Sequence, residues 1–280
     1  MFVKISRFVT AASLVMLGFM SVSPVLGAEP PPPMPASTGE DWYLTLGVRG
    51  TVMPDYPGSD DYTVRPGLVL RLARASQLND FRSVDDNPSL ALYDTGTFRI
   101  GVVGRLDLGR DEGDNARLTG LGDIDTAVQL GGFTEWYPMN WLRLRGELRY
   151  GFGGYDALMG NLSADYIVPF DAWRFAIGPR LGFAGSGYNQ AYFGVTPIQS
   201  LSATYLGNPL PVYSAGSGFN TVGVTAQLDR NFGNGFLGGV FASYGRLLGD
   251  AADSPLTQNA NQFSVGLSVA YTFNIGKAWW

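Results

Sequence analysis

Residues 262–273 read QFSVGLSVAYTF. Odd positions carry Phe263, Val265, Leu267, Val269, Tyr271 and Phe273, whereas even positions carry Gln262, Ser264, Gly266, Ser268, Ala270 and Thr272. Alternation with period two defines a β-strand with two unlike faces. Six large apolar side chains on one face need a cover, and only seven residues follow them. The cover is either a protein core or lipid, and the rest of the chain has to decide which.

The same alternation recurs from Asp41 onward. Trp42, Leu44, Leu46 and Val48 alternate with Tyr43, Thr45, Gly47 and Arg49, and Val64, Leu68, Leu70 and Leu72 oppose Arg65, Gly67, Val69 and Arg71. Phe98, Ile100, Val102, Leu106 and Leu108 oppose Arg99, Arg105 and Asp107. The split is sharpest in WLRLRGELRYGF, with Leu142, Leu144, Leu148, Tyr150 and Phe152 on one side and Arg143, Arg145, Glu147 and Arg149 on the other. Further strands are expected over 123–137, 160–170, 173–184, 219–230 and 235–247, and no segment longer than a turn shows a helical period.

Connections alternate between tight and long. The tight ones are DTG at 94–96, PMN at 138–140, FDA at 170–172 and FGNG at 232–235, with Gly, Pro, Asn and Asp supplying turn geometry. The long ones fall near 54–61, 110–122, 153–159, 185–218 and 248–261. Short turns at one end and long loops at the other describe an antiparallel transmembrane β-barrel, with the turns in the periplasm and the loops outside. Counting back from the last strand, and requiring both termini at the short-turn end, predicts twelve strands, with 76–82 and 88–93 as two short ones. Ten is the alternative if 76–93 lies outside the wall.

A soluble exported sandwich or lipocalin-like barrel would share this period with its apolar face turned inward. Aromatic placement separates the two. Trp42, Trp136, Tyr137, Trp141, Phe170, Trp173, Phe236 and Phe273 all fall at the short-turn ends, the level of an interfacial girdle. A soluble core has no reason to sort aromatics by height. Twelve strands with apolar side chains inward would also leave a hollow core, since about eight already make an interior that side chains just fill.

At the N-terminus, Lys4 and Arg7 precede an apolar run from Phe8 to Met20, followed by Pro24, Gly27 and Ala28. This pattern predicts an export signal over 1–28. AEPPPPMPASTGE at 28–40 reads as a Pro-rich periplasmic lead in extended polyproline form over 29–40, so the barrel occupies 41–280. Removing Lys4 and Arg7 from the 19 basic residues leaves 17 against 24 acidic ones. That balance argues against a nucleic-acid partner. There is no cysteine, so no disulfide staples the exported chain. Histidine is absent too, removing the usual proton shuttle and the commonest transition-metal ligand. A non-enzymatic chain without cofactor or bound metal is expected.

Several loop-flanking stretches, PDYPGSDDYTVRP at 54–66, GRDEGDNARLTGLGDIDTAVQLG at 109–131, QAYFGVT at 190–196, YSAGSGF at 213–219 and SYGRLLGDAADSPLTQNANQFSVGL at 243–267, resemble the MltA-interacting protein/outer-membrane protein V (MipA/OmpV) family. The resemblance runs over essentially the whole mature chain. It implies a barrel in the outer membrane of a Gram-negative cell, in contact with lipid and lipopolysaccharide and inserted by the barrel-assembly machinery. The alternating terminal strand ending in Tyr271 and Phe273 resembles the signal that machinery reads. For the family's namesake the resemblance implies a scaffold joining a murein transglycosylase to a peptidoglycan synthase; other members resemble surface antigens or adhesins, a role that the long 185–218 loop would serve.

Two residue sets are candidates for function. Arg99, Arg105, Asp107, Asp125, Glu135, Arg143, Arg145, Glu147, Arg149, Arg174 and Arg180, with Arg49, Arg65 and Arg71, are expected to face the lumen. There they either line an aqueous, anion-leaning path or pair among themselves into a lattice that plugs it. In the outer loops, Asp55, Tyr56, Gly58, Ser59, Asp60, Asp61, Asp250 and Asp253 carry the family motifs. Their carboxylates, with Asp111, Glu112 and Asp114, either bind divalent cations or are simply solvated and structural.

Overall fold

The structure is a computed structural model and describes residues 41–277. The expected signal segment and Pro-rich lead lie outside the described residues. Period-two patterning produces eleven strands: β1 (Asp41–Pro54), β2 (Tyr62–Arg74), β3 (Ser89–Asp94), β4 (Phe98–Asp107), β5 (Ala127–Met139), β6 (Leu142–Gly153), β7 (Ala157–Phe170), β8 (Trp173–Ala184), β9 (Gly218–Gly233), β10 (Phe236–Leu247) and β11 (Asn261–Lys277). They form one curled antiparallel sheet in the order β2-β1-β11-β10-β9-β8-β7-β6-β5-β4-β3. The first and last strands zip together, with Leu44 opposite Phe273, Leu46 opposite Tyr271 and Val48 opposite Val269. Both ends of the described chain therefore lie at the short-turn end.

The burial pattern is inverted relative to a soluble protein. Leu68 is 82% exposed and Leu148 56%, whereas Arg143 is 0% exposed, and Arg145, Arg149 and Glu135 are buried with it. In β11, Phe263, Val265, Leu267, Val269 and Phe273 all face out. An outward aliphatic face would lose roughly 25 cal/mol for every Å² left in water. Hydrocarbon removes that penalty, and the soluble alternative with its apolar face inward is not the fold adopted.

The tight turns at 94–96, 138–140, 170–172 and 232–235 all close hairpins. In the last, Asn234 and Gly235 both have positive φ, 50° and 88°, as a twist-matched two-residue turn requires. The expected long connection at 153–159 is in fact short, because β6 ends at Gly153 and β7 begins at Ala157. The 185–218 loop contains two helices not expected from the sequence, α1 (Ser186–Phe193) and α2 (Pro197–Tyr205).

The strand count is eleven among the described residues, not twelve or ten, and the difference arises at 76–93. Both β2 and β3 run toward the short-turn end, so the chain must climb between them. It climbs inside the sheet rather than in the wall: a 3-10 turn at Ala75–Gln77 leads into an irregular segment, and the expected strand at 76–82 does not form. The polar side chains Asp80, Asp85, Asp86 and Asn87 find arginine and glutamate partners in the interior. Lipid would give them none. The expected strand at 88–93 does form, as β3.

Candidate functional site

Inward-facing side chains of β4 to β8 build a charge lattice around Arg143 on β6. Its guanidinium reaches Asp86 at 2.6 Å, Glu135 at 2.7 Å and Asp165 at 3.0 Å. Arg145, two residues on and therefore on the same face, reaches Glu135 at 3.1 Å and Glu147 at 2.8 Å. Arg149 pairs with Glu147 and also donates to Gln129 Oε1 at 2.9 Å and Asn161 Oδ1 at 2.6 Å. Arg99 on β4 binds Asp80 at 2.7 Å and Glu135 at 3.0 Å, and Arg180 on β8 binds Asp85 and Asp165, each at 2.7 Å. Isolated, any of these charges would cost several kcal/mol to bury. Together, each guanidinium fork is met by carboxylates or amides, the condition under which a buried polar network holds.

The inward segment is part of this lattice. Besides its carboxylates, Val84 N–H donates to Gln227 Oε1 at 2.8 Å, Arg49 Nη1 donates to the Val84 carbonyl at 2.9 Å, and Arg174 Nη2 donates to the Asn79 carbonyl at 2.8 Å. Phe81 packs against Ile167, Ala176 and Tyr137 near the short-turn end, with the Arg143 guanidinium 5.3 Å from its ring centre. Tyr137 therefore points inward and is not part of the outer aromatic belt; Trp136, Trp141, Phe170, Phe236 and Phe273 are exposed as expected.

Of the expected lumen set, Arg99, Glu135, Arg143, Arg145, Glu147, Arg149 and Arg180 come together in the lattice. Arg174 joins it only through the inward segment. Asp107 stands apart toward the loop end, accepting from Tyr155 Oη at 2.7 Å and Tyr192 Oη at 2.9 Å. Arg105 borders a remaining cavity of about 2430 Å³. Asp125 is misplaced by the sequence reading: the ladder of β5 starts at Ala127, so Asp125 sits in the preceding loop, exposed and outside the cavity lining. The reading also missed Asp80, Asp85, Asp86 and Asp165. Asp165 was legible, since it lies on the inward phase of β7 with Asn161 and Ser163.

At the opposite end the long loops pack on one another. Tyr56, Leu118, Leu121, Val195, Ala203, Leu210 and Leu256 form an apolar cluster drawn from four loops. The motif at 54–66 pins it. Tyr56 Oη donates to the Leu256 carbonyl at 3.0 Å and to Gln258 Oε1 at 2.7 Å. Gly58, at φ 98°, lies against Thr257 and accepts from Gln258 N and Asn259 N at 2.8 and 3.0 Å. Asp55 and Asp61 both accept from Asn115 Nδ2, at 3.2 and 3.0 Å. Ser59 is buried, and its Oγ accepts from Asp61 N at 3.0 Å. Asp111 accepts from Gly113 N at 2.7 Å and Glu112 from Gly122 N at 2.9 Å. Asp250 accepts from Gly216 N at 2.5 Å, while Asp60 and Asp253 are exposed. Among the described residues no three acidic side chains converge on a metal-sized site.

Below this cap, Tyr155, Tyr188 and Tyr192 stack edge to face and face to face, Tyr188 and Tyr192 with ring centres 4.5 Å apart. Removal from water, reinforced by the Asp107 carboxylate, pushes the Tyr188 phenol up to about 12 and raises Tyr155 and Tyr192 as well. All three stay neutral at physiological pH.

An aliphatic exterior, a charged interior, short turns at one end and packed loops at the other define an outer-membrane β-barrel protein. Within that class, the chain belongs to the family described as MltA-interacting protein MipA, which it matches over residues 46–273. No curated protein matches it. Among solved structures it is similar to the COG4313 outer membrane channel from Pseudomonas putida F1, at 14% identity and a TM-score of 0.39, covering 88% of this chain and 100% of that one. It is also similar to the outer membrane channel DcaP of Acinetobacter baumannii, at 8% identity and a TM-score of 0.37, covering 83% and 96%.

Proposed function

We propose that the chain is a non-enzymatic outer-membrane scaffold, with a plugged, stiffened barrel whose short-turn rim docks a murein transglycosylase and, through it, peptidoglycan synthesis. The observation that carries this reading is the self-paired lattice clamped to the inward segment: Arg143 alone engages three carboxylates, one of them donated by that segment. Fixed countercharges stiffen a wall and obstruct a path. The family description supplies the class of partner. The test is saturable binding between the purified chain in detergent and a purified MltA-type transglycosylase. Binding that survives removal of the outer loops supports docking at the short-turn rim; no binding contradicts the scaffold.

A second reading, a small-solute channel leaning toward anions, is favoured by the cavity of about 2430 Å³ bordered by Arg49, Arg71 and Arg105. Planar-bilayer recordings separate the two. A plugged scaffold gives no steady conductance, and a channel gives steps that scale with salt.

A further inference from the structure

The sheet has two free edges, and they face one another. Among the described residues β2 makes no ladder to β3 or β4, and β3 pairs only with the 99–103 stretch of β4. Above β3, toward the loop end, residues 65–71 of β2 and 105–110 of β4 and its following loop both border the cavity, with no strand of the described residues between them. The opening is framed. Its upper edge is closed by loop contacts, Asn115 to Asp55 and Asp61, and Arg65 to Asp114 at 3.6 Å. Its lower edge is β3 and the inward segment. Outside, it is flanked by Leu68, Leu70, Leu106 and Leu108, all well exposed. Unpaired strand edges at membrane depth are costly unless something polar reaches them.

Behind the opening arginines outnumber carboxylates. Arg49, Arg71, Arg82 and Arg105 border the cavity, and among the described residues none of them has a carboxylate within ion-pair distance. Arg49 and Arg71 donate to backbone carbonyls, and Arg82 to Ser89 Oγ at 2.9 Å. Of the carboxylates that border the cavity, Asp80, Asp85, Asp86 and Glu147 are paired with Arg99, Arg180, Arg143 and Arg145, Asp107 accepts from Tyr155 and Tyr192, Asp55 from Asn115 and Asp229 from Gln227, and Asp171 sits in the 170–172 turn. A basic chamber reached through an aliphatic doorway at lipid level matches one chemistry, an acyl chain carrying an anionic head.

We propose that the gap between β2 and β4 is a lateral portal through which an anionic amphiphile enters from the membrane, its head bound by Arg71 and Arg105 and its chain lying between Leu68 and Leu106. The head is a carboxylate or a phosphate, and the source is a free fatty acid or an anionic phospholipid.

The absence of native cysteine allows a clean test. The full chain in a neutral detergent is titrated with cis-parinaric acid and read by fluorescence. Saturable binding is expected, about tenfold weaker in Arg105→Gln and in Arg71→Gln, the loss expected for one charge-assisted hydrogen bond, and largely kept in Arg105→Lys. In a Leu68→Cys/Leu106→Cys variant, a reducible thiol cross-linker is expected to abolish binding and its reduction to restore it, a reversal that misfolding would not show. Displacement by palmitate or by phosphatidylglycerol supports the proposal and identifies the source. Equal displacement by an uncharged alkyl glycoside, binding indifferent to the cross-link, or an edge-to-edge dimer that excludes the probe would each overturn it.

Discussion

Leu148 and Arg143 lie five positions apart on β6 and face opposite ways, and each carries a prediction. On the lipid side, Leu148→Arg should lower folding stability in vesicles by about 2–4 kcal/mol, because the guanidinium would sit in hydrocarbon; denaturant titration of the vesicle-embedded chain measures it. If water covered this face the same change would be near neutral. On the lumen side, Arg143→Met leaves Glu135, Asp86 and Asp165 facing one another without their shared cation. A loss of about 3–5 kcal/mol is expected by the same titration. The orientation of both residues was legible from alternation alone. The partners of Arg143 were only half legible: Glu135 could be placed by phase, but Asp86 arrives from an irregular segment with no period to read.

That segment shows where pattern reading fails. Parity correctly demanded that the chain climb between β2 and β3, but it does not say whether the climb is made in the wall or in the lumen; the charge of Asp80, Asp85 and Asp86 decides for the lumen, by electrostatics rather than period. Replacing residues 79–87 with a flexible Gly-Ser linker removes the plug's carboxylates and Phe81. It should turn a chain silent in planar bilayers into one with measurable conductance; continued silence would show that the cap or the remaining lattice is the real obstruction. α1 and α2 escaped for a different reason. Both are shorter than the window in which a helical period can be seen, yet α2 announces itself locally, since Thr196, Pro197 and Gln199 form a capping box with Pro at the first turn. The stack that Tyr188 and Tyr192 of α1 make with Tyr155 gives this region a pH signature. The Tyr188 phenol titrates near 12 when folded, against an ordinary value near 10. Between those values the unfolded state has lost protons that the folded state keeps, so stability falls as pH rises through that window and is unaffected below it. Tyrosinate absorbance and loop protease sensitivity should rise together there, and Tyr188→Phe should remove part of the dependence.

At the scale of the molecule, one inversion organises the rest: charge is buried and paired, and hydrocarbon side chains are displayed. The packed loops, the inward segment and the proposed portal accompany a sheet whose end strands, β2 and β3, do not pair with each other. Alternation made the inversion possible and the belt of Trp136, Trp141, Phe170 and Phe236 told its direction, so the class of fold was legible in the sequence while the unpaired seam between β2 and β3 was not. The decisive measurement returns to QFSVGLSVAYTF. Single cysteines placed in turn at 263–269 and labelled with a fluorophore can be challenged with brominated lipids and with aqueous iodide. Labels at Phe263, Val265, Leu267 and Val269 should be quenched by the lipid and those at Ser264, Gly266 and Ser268 should not; lipid quenching that ignores the alternation, or iodide reaching the odd positions, would contradict a lipid-covered face.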